Sequence, residues 1–178
     1  MTEFNNSDTE ENQVKILLVG LDNSEKTSIF TCLKGIKDIS AFNWLRPTRG
    51  AVWNDFEALN TSYLIVDLGG QNAYRSEYFT DFNKYLAGTS KIIYVIDVQN
   101  TKRYDEALEY MNRVINLIDN RRHIDFSIFL HKFDSDFPFD ETTVNKLIKK
   151  IGQIIRPNFV YSLHKTSIYA IFEKTTIT

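Results

Sequence analysis

Residues 14–27 decide the fold of this chain, and they read Val-Lys-Ile-Leu-Leu-Val-Gly-Leu-Asp-Asn-Ser-Glu-Lys-Thr. The first six residues form a short apolar run that ends at Gly20, as a buried strand would. Lys26 and Thr27 follow a loop and stand at the start of a helical segment. A loop between a strand and a helix forms a cup of backbone N–H groups that binds phosphate. The stretch therefore predicts a phosphate-binding loop.

Two side chains of this loop have distinct expected roles. The ammonium group of Lys26 would reach the β- and γ-phosphates of a nucleotide. The hydroxyl group of Thr27 would bind Mg²⁺, which prefers hard oxygen ligands. We expect the phosphates to contact seven consecutive residues: Asp22, Asn23, Ser24, Glu25, Lys26, Thr27 and Ser28.

Glu25 departs from the usual pattern, because glycine normally precedes the lysine. Glycine gives the backbone freedom and lets phosphate approach closely. At about 5 Å and an effective dielectric near 20, repulsion between the glutamate and one phosphate charge is roughly 3 kcal/mol. That corresponds to about two powers of ten in affinity. Three alternatives stay open: binding with reduced affinity, binding with little loss, or a domain without nucleotide. The first predicts that glycine at position 25 tightens binding.

A second motif, residues 67–71, reads Asp-Leu-Gly-Gly-Gln and ends another apolar strand. Asp67 could hold Mg²⁺ through water, and Gly70 can offer its backbone N–H to the γ-phosphate. Gln71 is the candidate catalytic residue, because an equivalent glutamine orients the attacking water in P-loop GTPases. Upstream, Thr48 is the candidate for a second Mg²⁺ hydroxyl that is ordered only when γ-phosphate is present.

A third motif, residues 131–134, reads His-Lys-Phe-Asp and follows an apolar strand. The Asp134 carboxylate can accept hydrogen bonds from N1–H and the 2-amino group of guanine, and adenine lacks that pair of donors. The stem of Lys132 can cover the base face. His131 replaces a more typical asparagine and can still tie this segment to the phosphate-binding loop.

Strand-like and helix-like segments alternate from residue 14 to about residue 170. Further strands are predicted at 61–67, 91–97, 126–130 and 159–163, and amphipathic helices at 104–118 and 144–155. Backbone N–H groups of Ser167 and Ile168, after the last strand, could meet guanine O6. The alternation predicts a three-layer α/β domain with right-handed crossovers, whose ligands bind at the carboxyl ends of the strands.

Composition excludes several classes of protein. The 178 residues fit one domain, with 1–12 as a flexible acidic leader and 13–178 as the folded domain. The net charge of -2 argues against a nucleic-acid partner. Thr2 excludes N-myristoylation and the C-terminus carries no prenylation cysteine, so we expect no intrinsic membrane anchor. The single cysteine, Cys32, suits a reducing, cytoplasmic setting.

Taken together, the motifs resemble small P-loop GTPases of the Ras superfamily over residues 14–170. Residues 20–24 and 67–71 look like those of Arf-family proteins. The second half is similar to Rag (Gtr) GTPases, notably at 88–97, 131–134 and 166–169. The resemblance implies a P-loop NTPase fold (a G domain) with a six-stranded, mostly parallel sheet. It also implies Mg²⁺-dependent binding of GTP and GDP, slow hydrolysis, and switch regions around Thr48 and from Asp67 to about Tyr78.

The expected function is that of a small regulatory GTPase that reaches membranes only through a partner. Expected partners are effector, exchange and activating proteins, and a second GTPase or a protein of the longin or roadblock type. No arginine is obviously placed to act in cis, so an activating protein is expected to supply one. The alternative is a pseudo-GTPase that serves as an interaction or scaffold module, which Glu25 favours. Asp134 disfavours an ATP-using kinase or ATPase.

Overall fold

The computed structural model describes residues 13–35, 45–118, 123–134 and 140–168. Within these ranges, six strands form one sheet with helices on both faces. The strands are β1 (Gln13–Gly20), β2 (Ala51–Ala58), β3 (Thr61–Leu68), β4 (Thr89–Asp97), β5 (Asp125–His131) and β6 (Ser162–Thr166). The helices are α1 (Lys26–Leu33), α2 (Asn72–Thr80), α3 (Phe82–Leu86), α4 (Tyr104–Leu117) and α5 (Glu141–Ile154).

The strands lie in the order β2-β3-β1-β4-β5-β6. β2 runs antiparallel to β3, and the other neighbours pair in parallel. Leu17 of β1 lies opposite Val66 on one side and Ile92 on the other, and all three are completely buried. This arrangement confirms the predicted α/β domain with a six-stranded, mostly parallel sheet.

Alternate residues of β1 point into two hydrophobic cores. Leu17 and Val19 pack in a core that includes residues of α2, α3, α4 and α5. Ile16 and Leu18 pack in a second core with residues of α1. Because both faces of the sheet are covered, the central strands are apolar throughout rather than alternating. The result is the three-layer arrangement that the sequence predicted.

Helices α4 and α5 pack through the predicted apolar stripes. Met111 of α4 is fully buried, and truncating it to alanine would cost about 2–5 kcal/mol. The hydroxyl group of Tyr94 in β4 donates to the carbonyl oxygen of Ala107 at 2.6 Å, which fixes α4 against the sheet. At the start of α5, the Asp140 carboxylate accepts a hydrogen bond from the Thr142 N–H at 3.0 Å and caps the helix.

The sixth strand begins later than predicted. The predicted range was 159–163, whereas β6 runs from Ser162 to Thr166. Asn158 turns the chain with a φ of 66°, and Val160 is left 86% exposed, so the apolar residues there do not join the sheet. The pairing with β5 places Thr166 opposite His131. Residues 165–166 therefore belong to the strand instead of following it.

The parallel strands end at one edge of the sheet, where the predicted motifs begin. Gly20 ends β1, Leu68 ends β3, Asp97 ends β4 and His131 ends β5. The longest helices in the described ranges, α4 and α5, have 14 residues each, too few for a membrane span. The predicted leader at 1–12 lies outside the described residues.

Candidate functional site

The predicted phosphate-binding loop connects β1 to α1 at the carboxyl edge of the sheet. A Cβ added at Gly20 would lie 2.4 Å from the Val95 carbonyl oxygen, so only glycine fits beside β4 there. Ser24 is buried and its hydroxyl donates to the Leu21 carbonyl at 2.8 Å. The Ser24 side chain therefore stabilises the loop itself, which leaves its backbone for a ligand.

Lys26 is held underneath the loop. Its side chain is buried, and Nζ donates to the carbonyl oxygen of Leu21 at 2.7 Å and to that of Gly20 at 3.2 Å. Burial lowers the pKa of Lys26 to about 8, against the opposing effect of the Asp67 charge. At neutral pH the ammonium remains mostly protonated, and a bound anion would stabilise its charge further.

The three predicted Mg²⁺ residues converge, although they come from three separate segments. Thr27 Oγ1 donates to Asp67 Oδ2 at 2.6 Å, and Thr48 Oγ1 donates to the same oxygen at 2.9 Å. The two hydroxyl oxygens lie 2.9 Å apart. Asp67 Oδ1 is buried and has no hydrogen-bond partner among the described residues.

This donor set fits Mg²⁺ chemically. The three residues offer only hard oxygens, and Mg²⁺ is commonly held by one or two side chains, waters and substrate phosphates. No cluster of three or more His, Cys, Asp or Glu that could hold a metal occurs in the described ranges. The hydroxyl groups are therefore essential to this assignment.

The second motif crosses directly over the loop. The Gly69 N–H donates to the Gly50 carbonyl at 3.0 Å, which joins β3 to the segment after Thr48. A Cβ at Gly70 would lie 2.1 Å from the Asp22 nitrogen, so this close approach requires glycine. Gln71 follows as the N-terminal cap residue of α2.

A cavity of about 270 Å³ lies between these segments. Its walls include every predicted phosphate-contacting loop residue except Ser24, together with Thr48, Gly70 and Gln71. A larger cavity of about 830 Å³ shares Thr27, Thr48 and Gln71 with it and extends towards β2. The structure thus brings the loop and the Mg²⁺ candidates together with the catalytic candidate.

The third motif, residues 131–134, is called the base motif below. Its residues do not line that cavity, but Lys132 connects the motif to the loop. Lys132 Nζ donates to the Asn23 carbonyl of the loop at 2.9 Å and to Asp97 Oδ2 at 2.8 Å. His131 is buried, and its Nδ1 lies 2.8 Å from Thr166 Oγ1.

The Asp134 carboxylate is held on both oxygens. Gln99 Nε2 donates to Oδ2 at 3.0 Å, and the Ser167 hydroxyl donates to Oδ1. Ser167 was predicted to use its backbone, and its side chain has this additional contact. Ile168 follows it, half-buried. Each carboxylate oxygen keeps a further lone pair, so Asp134 can still accept from a base.

Glu25 adopts a left-handed backbone conformation, with φ 62° and ψ 29°. Its carboxylate lies towards the base motif, with Oε2 3.5 Å from His131 Nε2 and Oε1 3.6 Å from Lys132 Nζ. The His131 ring is the main cause of a pKa of Glu25 below its usual value, opposed by burial and aided by the Lys132 charge. The expected repulsion of phosphate is therefore partly compensated inside the protein.

Sequence reasoning missed three residues of this site: Asp97, Gln99 and Arg103. Asp97 ends β4 at the carboxyl edge, and that position was a usable signal. Gln99 and Arg103 lie in the following connection, whose composition carries no such signal.

Arg103 belongs to a charge network that joins the loop to α2. Its Nη2 lies 2.7 Å from Asp22 Oδ1, and its Nε lies 2.8 Å from Glu106 Oε2. Arg75 of α2 pairs with the other oxygen of Glu106. The hydrogen bond from Arg103 is the largest cause of a Glu106 pKa of about 2. An arginine thus lies at the loop in cis, but it is already paired.

Comparison with known proteins agrees with this geometry. A family model described as "Arf: ADP-ribosylation factor family" matches residues 1–170. The fold is similar to that of the Arl6 (BBS3) small GTPase from Trypanosoma brucei with the bound nucleotide analogue GppNp. That likeness has a TM-score of 0.70 at 18% identity, over 92% of this chain and 96% of that one. The mammalian SRP receptor structure gives a TM-score of 0.66 at 13% identity, over 90% of this chain and 97% of that one. At these identities, both likenesses concern the fold alone.

Proposed function

Since this chain belongs to the ADP-ribosylation factor family of small P-loop GTPases, we propose that it is a guanine-nucleotide switch. It binds GTP and GDP with Mg²⁺ and hydrolyses GTP slowly. The observation that carries this proposal is the convergence of Thr27, Thr48 and Asp67 within 2.9 Å of one another. These side chains come from three segments, and in addition to their mutual hydrogen bonds they offer hard oxygen ligands for a cation at a phosphate site.

The phosphates bind in the cup between the loop and α1. Backbone N–H groups of the loop and the first turn of α1 face the anion, and Lys26 supplies a full positive charge. Thr27 and Thr48 would hold Mg²⁺ through their hydroxyl oxygens, and Asp67 would hold it through water. When bound, Mg²⁺ neutralises phosphate charge that would otherwise oppose binding.

Hydrolysis depends on the position of Gln71 at the start of α2. Its side-chain amide orients the attacking water, with Gly70 offering its backbone N–H to the γ-phosphate. Arg103 is paired with Asp22 and Glu106, so we expect it to contribute little to the transition state in the isolated protein. Slow turnover follows, with an activating protein supplying the missing positive charge.

The base binds beside Asp134, Lys132 and Ser167. Asp134 accepts from the guanine N1–H and 2-amino groups, while the backbone at Ser167 and Ile168 meets O6. The stem of Lys132 covers one face of the base. An adenine base presents neither donor to Asp134, so bound ATP would leave the Asp134 carboxylate without hydrogen-bond donors from the base.

The switch acts through two segments. Thr48, Gly70 and Gln71 line the cavity beside the phosphate-binding loop. The order of the proposed switch regions, around Thr48 and from Asp67 to about Tyr78, therefore depends on whether GTP or GDP is bound. Effector, exchange and activating proteins read or drive that difference, and a second GTPase or a longin or roadblock-type protein could share the same surface. The proposed location is cytoplasmic, with membranes reached through a partner. The Rag-like character of residues 131–134 stays a prediction.

Titration of nucleotide-free protein with GTP, GDP and ATP tests this function. We expect GTP and GDP to bind in Mg²⁺, with ATP weaker by at least about a hundredfold, and GTP to bind more weakly in EDTA. Equal affinity for ATP and GTP would contradict the guanine assignment.

One observation favours a second candidate function. Glu25 adopts a conformation that glycine prefers, inside the loop that must approach phosphate. A pseudo-GTPase that serves as a scaffold would tolerate that change freely. It predicts no binding of GTP or GDP at millimolar concentration in Mg²⁺ and unchanged partner binding in a Lys26→Ala variant.

A further inference from the structure

Two residues that depart from the common motifs face each other. Glu25 stands where glycine is usual, and His131 stands where asparagine is more typical. Glu25 Oε2 lies 3.5 Å from His131 Nε2, at the outer limit of hydrogen-bond distance. That nitrogen is buried and makes no hydrogen bond in the described part of the chain, so its contact with Glu25 is a long polar contact. Its other ring nitrogen contacts Thr166, so the ring spans from β6 to the phosphate-binding loop.

Lys132 repeats this connection with the other carboxylate oxygen. Lys132 Nζ lies 3.6 Å from Glu25 Oε1, and it also bonds to Asn23 of the same loop. The Lys132 side chain is 17% exposed and the Glu25 side chain is 41% exposed, so water screens this pair only in part. Glu25 thus meets two adjacent residues of the base motif, one with each oxygen.

The backbone of Glu25 makes these contacts more significant. Its left-handed conformation costs nothing for glycine but carries a steric penalty for a residue with a Cβ. Glycine would therefore fit this backbone better than glutamate does. A strained residue persists where its surroundings compensate for the strain. Among the described residues, the Glu25 carboxylate has a polar contact with the His131 ring and an ionic contact with Lys132.

We propose that Glu25 is a positioning residue that ties the base motif, residues 131–134, to the phosphate-binding loop. This inference rests on the proposed function, and it opposes the first alternative drawn from the sequence. Substituting glycine at position 25 loosens the base motif, so it weakens nucleotide binding instead of tightening it. The effect is confined to ligands that carry a base.

Two ligands distinguish the proposed positioning role of Glu25 from simple repulsion between its charge and phosphate. GDP uses both halves of the site: the phosphate half (residues 22–28, Thr48 and 67–71) and the base half (residues 131–134 and 167–168). Inorganic pyrophosphate uses only the phosphate half. We expect Glu25→Gly to weaken GDP binding about tenfold, mainly through faster dissociation, and to leave pyrophosphate binding unchanged or tighter. Glu25→Gln retains an acceptor for His131 and is expected to stay within about threefold of the wild type for GDP.

A matched control isolates the backbone effect. Leu59 in the β2–β3 turn also has a left-handed conformation, with φ 51°, and lies 95% exposed outside the site. Leu59→Gly relieves the same kind of strain and should leave GDP binding unchanged. Tighter or equal GDP binding by Glu25→Gly, relative to the wild type, would overturn the tie.

A double-mutant cycle tests the partner. Because Glu25 and His131 act together, the losses from Glu25→Gly and His131→Asn in GDP affinity should be less than additive. Additive losses would contradict the contact.

Failure of the proposed function would be distinguishable from failure of the tie. If the wild type binds neither GDP nor GTP, the switch proposal fails. The contact between Glu25 and His131 is then tested without nucleotide. Urea unfolding of the wild type, Glu25→Gly, His131→Asn and the double variant gives the coupling free energy between the two positions. Coupling between positions 25 and 131 supports it, and additivity contradicts it.

Discussion

The phosphate half and the base half of the site differ in how completely their polar groups are paired. In the phosphate half, three oxygens crowd together, and Asp67 Oδ1 is buried without a hydrogen-bond partner among the described residues. In the base half, His131 Nε2 likewise lacks a hydrogen-bond partner among the described residues, but both oxygens of Asp134 and the ammonium of Lys132 are engaged. We infer that Asp134 and Lys132 are positioned before binding, whereas the phosphate half requires a cation and an anion to stabilise it.

The largest expected effect is on GTP affinity and comes from a substitution in the base half. Asp134→Asn should lower GTP affinity by at least about a thousandfold, because asparagine cannot accept from both guanine donors. The same change should improve binding of xanthosine triphosphate, whose 2-oxo group accepts from the new amide. Competition against fluorescent GDP measures both. Asp125→Asn removes an exposed carboxylate and should change neither; a GTP affinity unchanged in Asp134→Asn would refute the assignment.

The next effect concerns turnover in the phosphate half. Gln71→Leu should slow GTP hydrolysis by about a hundredfold while GTP affinity stays within about threefold, because the amide acts on water and not on the bound nucleotide. Single-turnover phosphate release measures this. Gln153→Leu, on the exposed face of α5, is the control, and wild-type turnover in the Gln71 variant would count against its catalytic role.

A smaller effect tests the cation. Thr48→Ala should weaken GTP binding in Mg²⁺ by about tenfold and leave binding in EDTA unchanged, because only the metal-dependent part uses the hydroxyl. Titration calorimetry with and without Mg²⁺ measures the difference. Thr101→Ala is the matched change outside the cluster. Equal losses in Mg²⁺ and in EDTA would assign Thr48 a structural role.

The smallest expected effect tests whether Asp134 in the base half is positioned before the nucleotide binds. Gln99→Ala removes one hydrogen bond to Asp134 and should weaken GDP binding by about threefold. The loss should be equal in Mg²⁺ and in EDTA, in contrast to Thr48→Ala. Gln153→Ala is the control, and a loss confined to Mg²⁺ would show that the two halves are not separate.

The order of the motifs made most of the site predictable from sequence. Lys26, Asp67 and Asp134 each follow an apolar strand, and parallel strands bring such positions to one edge. The two edge strands, β2 and β6, were harder to predict from the sequence. β2 is half-exposed and pairs antiparallel, so it lacks the apolar run of a central strand, and β6 is short and only partly buried.

Side-chain contacts between distant segments were beyond sequence reasoning. Glu25 looked like an uncompensated charge, because the adjacent cation, Lys26, was expected to face the phosphates. Its contacts, His131 and Lys132, become visible only when β1 and β5 are placed in one sheet. The role of Gln99 likewise depends on the connection after β4, whose path the sequence does not determine.

The most direct test of the guanine-nucleotide switch is to denature the purified protein and identify any released nucleotide by chromatography. The account predicts GDP or GTP in a near-stoichiometric amount, with no adenine nucleotide. A protein that releases none, and that also fails to take up GTP in millimolar Mg²⁺, would contradict it.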